Sequence, residues 1–178
     1  GLDEMNRLNN HGTCWILQVA AFSQLTGNES LQNMCRERYK SILLPYQLAE
    51  DGSFPKEMSR TKPYGYALFN LDVMSGVLQL LSTPDDDLWM FKLENGTGYQ
   101  EAVEFMAPYI ADKSTWTLAP DVMYWDEWPI RHPSLLFAGI HYQKPQWIDL
   151  WEQLNPDPTV EEVIRNFPIR QPLLWINN

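Results

Sequence analysis

Apolar residues in this chain recur at the spacing of a helix, and no series of segments alternates apolar and polar residues as strands do. That pattern predicts an all-α fold. From His11 to Thr26, Trp15, Val19 and Phe22 form one stripe, with Cys14, Ala21 and Leu25 beside it. Thr26-Gly27 ends this helix, and Asn28 can cap the next. The second helix, over 29–44, carries Leu31, Met34, Cys35, Tyr39 and Ile42 and is expected to stop at Pro45. A third, over 64–82, has Leu68, Leu71, Met74, Leu78 and Leu81 as its stripe, and 100–111 returns along it. Pro133 suits the first turn of a helix running to Tyr142, with 146–154 as its partner. Thr159-Val160-Glu161-Glu162 matches a capping box, so a short helix is expected from about 160. The tail IRQPLLWINN reads as extended or irregular.

Three helical hairpins joined by long polar connections suit an α/α toroid or solenoid better than a simple bundle. No internal sequence repeat is visible. Reflecting Cys35 about the turn at Gly27 places it near Ala20, so Cys14 is about 9 Å out of register. A disulfide needs Cα atoms within about 7 Å, so two free, buried thiols are expected.

The net charge of −10 argues against a nucleic-acid partner, which needs a basic face. An acidic polymer can still bind through a local cationic cluster. No apolar run is long enough to cross a membrane, and the opening GLDEMNRLNN lacks signal-peptide architecture. Eight Trp are many for 178 residues, and flat indoles suit a sugar groove as well as a core. Three scattered His without ligand spacing call for no metal, and nothing calls for a cofactor.

Three stretches can carry chemistry. Asn9-Asn10-His11-Gly12-Thr13 opens a helix, where amides and an imidazole beside free N–H groups make either an anion site or a plain cap. Residues 51–66 hold Lys56, Arg60 and Lys62 within seven positions, followed by Tyr64 and Tyr66. Between 124 and 133, Trp125 and Arg131 lie among interleaved aromatic and charged residues, as a sugar subsite or a packed connection would.

NNHGT, followed about forty residues later by DGSFPKEMSRTKPYGYALFNL and then by YWDEWPIRHPSLLFAG, resembles the signature of the alginate lyase superfamily. Within it the chain looks closer to the glucuronan and mannuronan lyases. The resemblance implies an α/α toroid and a polysaccharide lyase that cleaves β-1,4-linked uronate polymers by β-elimination. Members are longer than this chain. Residues 1–178 are therefore expected to be the C-terminal part of one toroid domain, an incomplete ring whose other partner is the missing N-terminal half. A bacterial periplasmic or secreted location follows from such a substrate.

In such lyases an Asn-His pair and an Arg neutralise the substrate carboxylate while a Tyr removes the C5 proton. The matching positions are Asn10, His11, Arg60 and Tyr66. Tyr64 competes as base because the Arg-to-Tyr segment is shorter than in mannuronate-specific relatives. Tyr66 directly precedes Ala67-Leu68, as in the family's Tyr-Ala-Leu pattern. Lys56, Lys62, Tyr64, Trp125 and Arg131 are the expected substrate-binding residues. Cys14 departs from the family, standing where relatives carry an aromatic residue.

These residue types suit the chemistry. Donors aimed at the developing enolate-like charge supply the largest catalytic term, and Arg offers a planar carboxylate a bidentate fork. A phenol starts near a pKa of about 10, and an adjacent guanidinium lowers it. Two other readings compete. One is a glycoside hydrolase on a similar helical toroid with two carboxylates drawn from Asp121, Asp126 and Glu127. The other is a non-catalytic fragment that binds acidic glycan.

Overall fold

The computed structural model describes residues 2–176. Among these the chain is helical, and its one extended pairing is an isolated bridge between Lys92 and Gly98. The helices are α1 (Leu2–Met5), α2 (Asn10–Leu25), α3 (Glu29–Arg38), α4 (Leu44–Gln47), α5 (Pro55–Met58), α6 (Pro63–Leu81), α7 (Tyr99–Ala111), α8 (Pro133–His141), α9 (Pro145–Gln153) and α10 (Glu161–Arg165).

The three expected hairpins are α2–α3, α6–α7 and α8–α9. Between α2 and α3, Gly27 takes a left-handed conformation (φ +65°) that a side chain would disfavour. Asn28 caps α3 by accepting from the Leu31 amide at 3.1 Å. Helix α2 lies along α6, and α6 along α8. The contacts step together along each pair. Thr13 meets Asn70 and Gln24 meets Leu80, while Ser134 meets Asp72 and His141 meets Gln79. These three helices therefore run parallel and form one layer, and their N-termini share one end of the arc. Leu68, Leu71, Met74 and Leu78 of α6 are fully buried in the core beneath that layer.

Three expectations change. On α2 the buried face is Thr13, Ile16, Ala20 and Ser23, whereas Phe22 and Leu25 are 66% and 82% exposed. The helix approaches α6 at Gly76, where an added methyl group would meet Leu17 at 3.1 Å. Close approach through small side chains outweighs the larger apolar stripe. The second helix does not stop at Pro45. It widens into a π segment over Tyr39–Leu43 and continues through Pro45 as α4. Where the ladder widens, the proline ring escapes the carbonyl it would otherwise strike. Finally, α10 starts without a side-chain cap. The Glu162 carboxylate turns to Lys62 at 2.8 Å instead, because a cation is a stronger partner than a backbone amide.

Candidate active site

The N-terminal parts of α2 and α6, Arg60 in the turn after α5 and one side of α10 line a cleft of about 430 Å³. Its position follows from how those ends are tied down. Asn9 caps α2 by accepting from the His11 amide at 3.3 Å. Thr13 donates to Asn70 at 2.9 Å, and Gln47 bonds both, so a buried amide–hydroxyl network locks α2 to α6. The first amides of α6 are capped from far along the chain. Asp121 accepts from Tyr64 at 2.8 Å and from Gly65 at 2.9 Å. Two parallel helices thus direct the positive ends of their dipoles toward the same region, which favours an anion there.

Asn10, His11, Arg60 and Tyr66 all line this cleft. Buried Glu57 accepts from the Asn10 amide nitrogen at 2.6 Å and from its Nδ2 at 2.9 Å. Arg60 donates from Nη1 to the same carboxylate at 3.0 Å. The Arg60 guanidinium lies over the Tyr66 ring, its carbon 3.5 Å from the ring centroid. The imidazole of His11 is half exposed and pairs with Glu4 at 2.8 Å. Burial raises the pKa of Glu57, and its bonds from Asn10 and Arg60 pull the value back. Cys14 lines the cleft as a free thiol. Burial, reinforced by Glu57 and Glu4, pushes that thiol up to about 12, so it stays neutral.

Tyr64 is placed quite differently. It is fully buried, donates to the Tyr109 carbonyl at 2.9 Å, and is wedged edge-on between Trp116 and Trp125. Burial pushes its phenol pKa up.

Of the remaining residues singled out in the sequence, Lys62 stands nearest. Its ammonium is 5.2 Å from the Tyr66 ring centroid and pairs with Glu162. Lys56 points to solvent outside the cleft. Trp125 is a packing residue here: it braces Tyr64 and carries Lys113 over its face at 4.6 Å. Arg131 donates to the Trp151 and Glu152 carbonyls and stacks on Trp151, so it closes the C-terminal end of α9. The carboxylates of the hydrolase reading are also placed elsewhere. Asp121 is committed to the α6 amides, and Asp126 and Glu127 are exposed on a turn outside the cleft. Among the described residues no three His, Cys, Asp or Glu are grouped to hold a metal.

Sequence reasoning missed Glu57, Glu4 and the α10 wall of Glu162, Arg165 and Asn166. Glu57 had a legible signal, standing three residues before Arg60 in the spacing that pairs charges on a helical turn. The α10 wall had none, since Glu162 meets Lys62 across 100 residues of chain.

The family model described as Alginate lyase matches residues 1–116, a range that holds Asn10, His11, Glu57, Arg60 and Tyr66. The chain is also similar to the crystal structure of an alginate lyase from Bacteroides ovatus. That likeness runs at 26% identity over 87% of this chain, with a TM-score of 0.73. It takes in 41% of the Bacteroides chain, so the present chain spans less than half of that protein. No sequence among the curated proteins matches.

Proposed function

This chain belongs to the alginate lyase family, with the helical hairpins of an α/α toroid, and on that premise we propose that its cleft cleaves an acidic uronate polysaccharide by β-elimination. One observation carries the reading: Arg60 stacks on Tyr66 in the same cleft that Asn10 and His11 line.

The reaction asks for a carboxylate neutraliser and a base on one side of a sugar ring. The C5 proton of a uronate is a weak acid while its carboxylate is charged. Asn10, His11 and Arg60 donate to that carboxylate and stabilise the charge that grows on it as the proton leaves. Tyr66 takes the C5 proton. The electron pair of the broken C5–H bond forms the C4=C5 double bond, the C4–O4 bond breaks, and the proton passes to the departing O4. In β-linked glucuronate and mannuronate, H5 is axial and O4 equatorial, so the two are gauche and one phenol reaches both. The sugars differ at C2, away from this geometry, and either polymer fits the mechanism. Lys62, 5.2 Å from the Tyr66 ring centroid, adds positive potential beside the cleft while its ammonium stays paired with Glu162. A periplasmic or secreted location goes with such a substrate, and the remaining groove wall would come from outside residues 1–178.

The test uses the protein at its full natural length on glucuronan, polymannuronate and polyguluronate, following the ultraviolet absorbance of a 4,5-unsaturated uronate. Absorbing product is expected on at least one polymer. Arg60→Ala should lower kcat by about 10², the loss typical of an oxyanion-type donor, and Arg60→Lys should rescue it poorly because a point charge lacks the fork. New reducing ends without absorbance would convert the reading to hydrolysis. Binding without turnover would convert it to a glycan-binding module.

A further inference from the structure

Glu57 is a carboxylate held at 1% exposure on a helix of a single turn. Burying such a charge is costly unless it is paired and hydrogen-bonded, and an apolar residue would have packed the turn more cheaply. What the carboxylate achieves is visible in its partners. One oxygen, Oε2, accepts from Asn10 Nδ2 at 2.9 Å and from Arg60 Nη1 at 3.0 Å, while Oε1 accepts from the Asn10 backbone at 2.6 Å. Asn10 lies 47 residues away in the chain. Two donors from separate elements are therefore gauged against a single oxygen atom. We propose that Glu57 is the positioning residue of this cleft, setting the spacing and orientation of Asn10 and Arg60 so that their remaining N–H groups converge on one substrate carboxylate.

The inference rests on the lyase reading of the cleft, but its geometry can be tested separately. Asn10 carries two amide hydrogens and a guanidinium carries five. Glu57 takes one from each side chain, and the others have no hydrogen-bond partner among the described residues although both side chains line the cleft. Glu57 also holds Arg60 over the Tyr66 ring. A residue that merely filled space would have no hold on either donor. The protein's own contacts thus tie the guanidinium down, and no ordering of a long side chain is left for the reaction step.

The experiment is a double-mutant cycle in the full-length protein, with Glu57→Gln and Arg60→Ala made singly and together. It is read by kcat on a uronate polymer and by the ¹⁵N relaxation of the Arg60 side chain. Gln keeps only one oxygen, so its amide must face either the Asn10 backbone N–H or the two side-chain donors, and the three-donor bridge cannot stay intact. Glu57→Gln is expected to lower kcat about 10-fold to 100-fold and to mobilise the Arg60 side chain. In the Arg60→Ala background the same change should cost much less, because contacting residues in one network are non-additive. Glu57→Asp keeps the charge but is one methylene short of spanning both donors. It should fall between, and it serves as the reporter if Glu57→Gln fails to fold. Unchanged kcat with a rigid Arg60, or fully additive losses, would overturn the proposal. If the wild type cleaves no uronate polymer, the lyase reading falls and the relaxation data decide alone. A mobilised Arg60 then upholds the positioning role, and a rigid one ends it.

Discussion

Tyr64 and Tyr66 stand two residues apart on the first turn of α6, and helix rotation sends them into opposite surroundings. Tyr64 enters the aromatic core and gives its hydroxyl to the Tyr109 carbonyl, whereas Tyr66 lies under Arg60 at the cleft. Under the proposed function, Tyr66→Phe removes only a hydroxyl, so the fold survives while proton transfer fails. Its kcat should drop by about 10²–10⁴, the usual worth of a general acid–base group, with little change in KM. Tyr64→Phe should stay within about tenfold of wild type in rate and lose about 1 kcal/mol of stability with its hydrogen bond. Initial rates of absorbing product, with thermal unfolding alongside, separate the two. A dead Tyr64→Phe enzyme with an active Tyr66→Phe enzyme would move the base by two residues. The motif spacing could bring both tyrosines into view, but not which one burial would commit to a carbonyl.

At the scale of elements, α10 is held against the start of α6 through Lys62 and Glu162, both largely buried. The Lys62 hydrogen bond, foremost among several causes, holds the Glu162 carboxyl below the usual range. A carboxylate with a depressed folded pKa contributes stability above its unfolded value, about 4.3, and loses it as pH falls through the folded value. Glu162→Gln imitates the protonated form. Wild type should therefore melt higher than Glu162→Gln near neutral pH, and the gap should close on acidification below pH about 4. A gap that stays constant across this range would mean that Lys62 does not dock α10. Helix existence was legible from periodicity for the long elements, and the bounds of α6, α7, α8 and α9 differ from expectation by a residue at most. Short α5 and the π segment were not legible, because a single turn has no period to read and a widened ladder leaves no mark in composition.

Across the whole molecule, the parallel layer is held by buried polar joints as well as by apolar packing. Asp72 of α6 bonds His132 Nδ1 at 2.7 Å and the Ser134 hydroxyl at 2.6 Å, while His132 Nε2 accepts from the Ile130 amide. His132, Asp72 and Ser134 are almost wholly buried. This joint fastens α6, the long connection and α8 in one place, with Asp72 lying 60 residues from His132 and 62 from Ser134. Asp72→Ala would orphan the histidine and the hydroxyl together. It should cost about 3 kcal/mol or more, as breaking a buried hydrogen-bond network does, read as a lower denaturation midpoint. A change under about 1 kcal/mol would show that apolar packing alone fixes the arc. The joint leaves no mark in the sequence, because His132 and Asp72 lie 60 residues apart. The same distance rule divides everything else. Local order settled the helices, the α3 cap and the proline at the start of α8, since periodicity and capping act within a few turns of chain, and the family resemblance supplied the motif residues that face the cleft. The tertiary structure alone decided which face of α2 is buried, that Asp121 caps α6, that Arg131 closes α9, and that Glu57 bridges Asn10 and Arg60. Each of those is a buried polar or packing choice between distant segments, and the energy that makes it exists only once the partner has arrived.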